Sequence, residues 1–129
     1  MKTLIIDDEP LARRELRTLL AAHPEIEITG EAANVTEALA RLRQFPVDLL
    51  FLDVQMPERS GFDLIEQLSA PHPKIIFVTA YDAFALRAFE INALDYLMKP
   101  VHPERLVAAL QKLKSNSAVV AATSELPLT

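Results

Sequence analysis

Cysteine is absent, so disulfides, thiolate metal sites and cysteine nucleophiles are excluded. Glycine is nearly absent: Gly30 and Gly61 are the two in the chain. A Walker A loop and a G-x-G-x-x-G dinucleotide turn both need closely spaced glycines, so neither is present. Histidine is scarce, and His23, His72 and His102 each directly precede a proline. None has the i, i+4 partner of a helical zinc site. Long hydrophobic runs are missing. After Met1-Lys2-Thr3 the apolar run is Leu4-Ile5-Ile6 before Asp7 and Asp8 interrupt it, short of the roughly 7–15 residues of a signal peptide. No stretch approaches the ~20 apolar residues of a membrane span, so the expected compartment is the cytoplasm. Positive charge is in deficit: 13 Lys and Arg against 18 Asp and Glu give −5. Such a chain is a poor candidate for direct contact with nucleic acid or an anionic membrane.

What remains suits a globular protein. The 129 residues are half apolar and 24% charged, enough for one domain with a real core. Short apolar runs alternate with amphipathic stretches. Thr3 to Ile6 reads as a buried strand. Pro10 opens a helix with Leu16, Leu19 and Leu20 inward and Arg13, Arg14 and Arg17 outward, proline being comfortable in a first turn. Ile26 to Ala32 alternates like a half-buried strand. Asn34 is placed as an N-cap, with Glu37 at N3, before a helix buried through Leu39 and Leu42. Asp48 to Leu52 is apolar throughout, as in the middle of a sheet covered on both faces. Ser60 is placed to cap a helix containing Phe62, Ile65 and Leu68. Lys74 to Thr79 is a further strand, Asp82 is placed to cap a helix over Ala83 to Glu90, and Tyr96 to Met98 is a brief last strand. Pro103 begins a helix striped by Leu106, Val107, Leu110 and Leu113. Five strands alternating with five helices predict an α/β class with a parallel sheet. Residues 115–129 are small, Ala/Ser/Thr-rich and aperiodic, and read as a linker or tail.

In open α/β sheets ligands bind beyond the carboxyl ends of the strands. The predicted strands end at Asp7-Asp8-Glu9, at Asp53, at Thr79-Ala80 and at Lys99. Converging carboxylates repel unless a cation joins them. Hard oxygen ligands of this kind suit Mg²⁺, which also takes phosphate oxygens. A metal and a lysine around one free carboxylate suit phosphoryl transfer to that carboxylate. For strand order 2-1-3-4-5, Lys99 starts two strands from Asp53, roughly 10 Å away. A long cationic side chain is needed there, whereas Thr79, one strand away, needs only a hydroxyl.

The set Asp7-Asp8, Asp53, Thr79 and Lys99-Pro100 resembles the receiver domain of two-component response regulators. The resemblance covers roughly Lys2 to Lys114, in the words "LIIDDEP", "LLFLDVQMPERSGFDL", "IIFVTAYD" and "ALDYLMKPV". "DDEPLARRELRTLL" and "AYDAFALRAFEINALDYLMKPV" are similar to receivers of the LytR/AlgR (LytTR) type. The implied fold is the doubly wound, flavodoxin- and CheY-like (βα)5 sheet of order 2-1-3-4-5. The implied organisation is a receiver over residues 1–114 and a linker over 115–129. The linker is expected to lead to a C-terminal LytTR DNA-binding domain of about 100 residues, and DNA contact is expected only through that domain.

By that resemblance Asp53 accepts a phosphoryl group from a phosphohistidine on a sensor histidine kinase. Asp8, Asp53 and the backbone carbonyl of Gln55 would bind Mg²⁺ or Mn²⁺, with Asp7 acting through water. Lys99 would pair with Asp53 and then with the phosphoryl oxygens. Thr79 would hydrogen-bond the phosphate and Tyr96 would rotate inward behind it, a population shift between two packings. The Lys99–Pro100 peptide is expected to be cis, and small Ala80 leaves room for the donor. Gln55 and Tyr81 flank the attacking water; obstruction by the Tyr81 ring implies slow self-dephosphorylation. A homodimer through the face Asp82 to Lys114 is implied when phosphorylated.

Plainer readings exist for single residues. Asp7-Asp8 would serve as a solvated turn and helix cap. Tyr96 would be a packing residue. Arg13, Arg14 and Arg17 would form a solvated helix face, with kinase docking as the second reading. Phe84, Leu86 and Phe89 would be core plus a contact face. Two other functions compete with a regulatory phosphoacceptor. A Mg²⁺-dependent hydrolase with an aspartate nucleophile is disfavoured, because Asp53-Val54-Gln55 lacks the second carboxylate of an Asp-x-Asp pair. A phosphorylation-independent receiver-like module would show loss of an acidic residue, Asp53 or Lys99, and none is lost.

Overall fold

The computed structural model describes the backbone of residues 1–125 and the side-chain surroundings of residues 1–114. Five strands and five helices alternate: β1 Lys2–Ile6, α1 Pro10–Leu20, β2 Glu27–Ala32, α2 Val35–Gln44, β3 Leu49–Leu52, α3 Gly61–Glu66, β4 Lys74–Thr79, α4 Ala85–Glu90, β5 Asp95–Met98 and α5 Pro103–Glu125. The strands form one parallel sheet in the order β2-β1-β3-β4-β5, the predicted doubly wound arrangement. Among the described residues, no helix is long and apolar enough to cross a membrane.

Side-chain alternation along the central strands sorts the core into two layers. Leu4, Ile6, Leu50, Leu52, Ile75 and Phe77 face α2, α3 and α4, meeting Val35, Ala38, Phe62, Leu64 and Ala88. Ile5, Leu49, Phe51, Ile76, Val78 and Leu97 face the other way, onto Leu16 and Leu20 of α1 and Leu106, Ala109, Leu110 and Leu113 of α5. All four residues of β3 are buried, as a central strand covered on both sides must be.

The helix starts follow their local chemistry. Pro10 stands at the start of α1. Asn34 Oδ1 accepts from Glu37 N at 2.8 Å, while Glu37 Oε1 reaches the amide of Ala33 rather than that of the cap. Ser60 and Asp63 form a full reciprocal capping box at α3.

Three boundaries differ from expectation. Phe84, not Asp82, is the N-cap of α4; the carbonyl of Asp82 accepts from Ala85 N at 3.3 Å, so its side chain is not the cap. Phe62 and Ile65 lie in α3 and pack on the core as expected, with Leu64 buried beside them, but α3 stops at Glu66, so Leu68 reaches the core from beyond the helix. Helix α5 continues through Glu125, past Lys114, where the sequence reads as a tail; no proline or glycine stands between Lys114 and Glu125 to stop it. Residues 126–129 lie outside the described residues.

Candidate functional site

Register places the acids. Ile6 pairs with Leu52 across β1 and β3, so the next residues, Asp7 and Asp53, emerge side by side at the carboxyl rim. Both are anchored by backbone: Asp7 N donates to Ala32 O and Asp53 N to Ile6 O, each at 3.0 Å. Both carboxylates are buried, each residue 5% exposed. Asp8 is half-buried beside them. Carboxylate oxygens from Asp7, Asp8 and Asp53 lie within 4.8 Å of one another.

Lys99 crosses the rim from the end of β5. Its Nζ stands 2.7 Å from Asp7 Oδ2, 3.0 Å from Asp53 Oδ2 and 3.0 Å from Glu9 Oε1. Asp7 Oδ1 accepts from Glu9 N at 2.9 Å, and Asp53 Oδ1 from Gln55 N at 3.4 Å. Burial dominates at Asp7 and pushes its carboxyl above the ordinary range, against the hydrogen bonds from Lys99 and Glu9 N. Burial also opposes the charge on Lys99, but Asp7, Glu9 and Asp53 outweigh it and hold the ammonium well above its ordinary value. Three carboxylates thus meet one ammonium, with Asp8 beside them. The donors are hard oxygens converging on one point, which fits a divalent cation such as Mg²⁺.

Thr79 is fully buried at the end of β4, and its Oγ1 accepts from Tyr81 N at 3.4 Å. Its described hydrogen bond therefore goes to the β4–α4 loop rather than to the acids. Ala80 is exposed. Tyr96 is half-buried, packs on Phe77 with ring centroids 6.0 Å apart, and donates its hydroxyl to Tyr81 O. Burial pushes that phenol above its usual range. The Tyr81 side chain is 51% exposed and meets Phe84 edge-on. The Lys99–Pro100 peptide is cis.

Three participants were not singled out from sequence. Glu9, seen only as one more strand-end acid, is a direct partner of Lys99. Gly61 packs against the backbone of Asp53, where an added Cβ would stand 2.4 Å from its carbonyl oxygen; the extreme scarcity of glycine was the available signal. Arg13 reaches the site through the backbone, donating from Nη1 to Asp7 O. The reading of a solvated face holds for the exposed Arg14 and Arg17 and is corrected for Arg13, whose side chain is 16% exposed. Arg13 and Arg17 both bind Glu31 of β2, and Arg14 alone of the three is exposed without a described partner.

Comparison with known proteins agrees with this geometry. Residues 3–111 match the family model described as "Response regulator receiver domain". The chain is 48% identical over 115 residues to the transcriptional regulatory protein BtsR of Salmonella typhi, covering 88% of this chain and 48% of that protein. It is 45% identical over 114 residues to the sensory transduction protein LytT of Enterococcus faecalis, covering 87% of this chain and 47% of that protein. The chain therefore spans about half the length of these curated relatives. Among solved structures, the response regulatory domain of protein mrkE from Klebsiella pneumoniae superposes with a TM-score of 0.82 at 37% identity, covering 90% of this chain and 97% of that one.

Proposed function

The chain belongs to the response-regulator receiver family, and from that premise we propose that Asp53 accepts a phosphoryl group from a phosphohistidine of a partner sensor kinase. The observation that carries the reading is the buried Asp53 carboxylate, with Lys99 Nζ at 3.0 Å and two further aspartates converging beside it. A carboxylate oxygen of Asp53 forms the new bond to phosphorus. The phosphorus–nitrogen bond of the donor breaks, and its electron pair returns to the imidazole. Lys99, freed from Asp53 Oδ2, pairs with the incoming phosphoryl oxygens. Asp8, Asp53 and the Gln55 carbonyl would hold Mg²⁺ or Mn²⁺, with Asp7 acting through water. When bound, the ion supplies the charge neutralisation that phosphoryl oxygens need.

The acyl phosphate then biases a two-state packing. The Thr79 hydroxyl leaves Tyr81 N and donates to a phosphate oxygen. Tyr96 releases the Tyr81 carbonyl and turns inward. The conformational change controls an output, and identity to transcriptional regulators supports a DNA-binding domain beyond the residue 115–129 segment. Regulation rather than turnover is favoured because Gln55, two residues past Asp53, offers no carboxylate for acid–base work. A sensor-kinase partner of this kind supports a cytoplasmic location.

The test is intact mass after exposure to acetyl phosphate, with and without Mg²⁺, beside Asp53→Asn. One added phosphoryl group in the wild type, absent in the variant and absent without Mg²⁺, is expected. Absence of both phosphoryl uptake and beryllofluoride binding would overturn the reading in favour of a phosphorylation-independent module. Followed after donor removal, the modified protein is expected to persist for minutes or longer, because Gln55 and the Tyr81 ring flank the water's approach. Loss within seconds would remove that role from Tyr81.

A further inference from the structure

Asp7 and Asp8 have to be presented by a short loop that belongs to neither β1 nor α1. Asp7 is held on every side: its amide by Ala32 O, its carboxylate by Glu9 N and Lys99. Asp8 is not. Its carboxylate has no hydrogen bond or ion pair among the described residues, so its position is set by the peptide that joins it to Asp7. The oxygen of that peptide is Asp7 O, and it accepts from Arg13 Nη1. The same guanidinium donates from Nε to Glu31 Oε1 at 2.8 Å. Arg17 Nε takes the other oxygen of Glu31. Glu31 pairs with Ile5 in the β1–β2 ladder, so the clamp refers the loop to the sheet. A planar guanidinium fixes two acceptors in one geometry, which a lysine cannot do.

We infer that Arg13, locked by Glu31, is a positioning residue that fixes the Asp7–Asp8 peptide and so preorganises the carboxylates for a shared cation. The inference rests on the receiver reading. Partners standing behind metal ligands typically set about tenfold or more of metal affinity, because a ligand already in place needs no ordering on binding.

The experiment is calorimetric titration of the full 129-residue chain with Mg²⁺, accompanied by thermal melting. Arg13→Ala is expected to weaken Mg²⁺ binding about tenfold. Arg17→Ala breaks the outer half of the clamp and spares the Asp7 carbonyl. It is expected to lower the melting temperature comparably yet leave Mg²⁺ affinity within about twofold. Glu31→Gln keeps the shape, loosens the guanidinium and is expected to weaken Mg²⁺ binding, which keeps the test sound if Arg13→Ala does not fold. Wild-type affinity in Arg13→Ala, or in Glu31→Gln if only that variant folds, overturns the inference, as does equal weakening in Arg17→Ala. A wild type that neither binds Mg²⁺ nor takes up phosphoryl groups overturns the receiver reading, and this inference with it.

Discussion

Gly61 shows how one missing side chain can set the place of another, here the proposed acceptor Asp53. A Cβ there would meet Asp53 O at 2.4 Å, Leu52 Cγ at 3.0 Å and Asp53 C at 3.3 Å. Two of the three are backbone of Asp53, the proposed phosphoacceptor, so they cannot swing aside. Glycine is required for space, since its φ is not positive. Gly61→Ala is expected to destabilise the fold by about 1–3 kcal/mol and to slow phosphoryl uptake at Asp53. Gly30→Ala is the control: its Cβ meets Leu4 Cδ1 at 3.5 Å, an ordinary contact, and is expected to shift stability by no more than about 1 kcal/mol. Urea unfolding and uptake from acetyl phosphate measure both; a Gly61→Ala protein that matches the control sinks the idea. Asp7, Asp8, Asp53, Thr79 and Lys99 were legible as strand-end residues because each closes or follows an apolar run. Gly61, Glu9 and Arg13 were not, because their roles depend on which strands and loops become neighbours.

At the scale of elements, β5 and α5 are tied by a charge cluster with no sequence signature. Asp95 begins β5 with its side chain 6% exposed. Arg105 reaches it with Nη1 at 2.9 Å and Nη2 at 2.6 Å, and Lys112 Nζ at 3.1 Å. Burial opposes the charge on Asp95, but the hydrogen bonds from Arg105, Tyr96 N and Lys112 win and hold the carboxyl below its ordinary 3.8. A depressed folded value means stability that is complete above the unfolded pKa and lost as pH falls through the folded one. Arg105→Ala is therefore expected to cost about 1–2 kcal/mol near neutral pH, a figure reduced for the half-exposed guanidinium. The gap from wild type should narrow once pH falls below about 4. Urea midpoints across that range decide it, and a gap that widens on acidification would falsify the assignment. Helices α1, α2 and α3 announced their starts through Pro10, Asn34 and Ser60. Helix α4 did not, because its first turn is set by the β4–α4 loop: Phe84 takes the cap with φ −102 and ψ 3 and offers no side-chain bond.

At the scale of the whole molecule, alternation and apolar strand content made the parallel α/β class legible, the strand order followed from the receiver resemblance, and the layer each helix joins came only with the coordinates. That layering puts α4 on the same side as Phe62, Phe77 and Tyr96. Ring contacts run from Tyr81 to Phe84, Phe84 to Phe62, Phe62 to Phe77 and Phe77 to Tyr96, so the loop after Thr79 and the cap of α4 share one packed group. Tyr96 is also bound to that loop through Tyr81 O. A rearrangement at Thr79 and Tyr96 cannot leave Phe84 in place, and Phe84 sets the start of a helix of six residues. That helix leaves Leu86 and Phe89 70% and 78% exposed, two large apolar side chains whose burial would be worth about 1.5–3 kcal/mol each. Phosphorylation at Asp53 is therefore predicted to reshape this face, within Asp82 to Lys114, into a surface that pairs with a second copy. Sedimentation of the beryllofluoride-treated protein should show a dimer that the untreated protein lacks. Leu86→Glu and Phe89→Glu should abolish the dimer while leaving uptake at Asp53 intact, since neither side chain touches the acidic site. Dimers that survive both substitutions would place the interface elsewhere, and dimers of equal strength without beryllofluoride would uncouple it from Asp53.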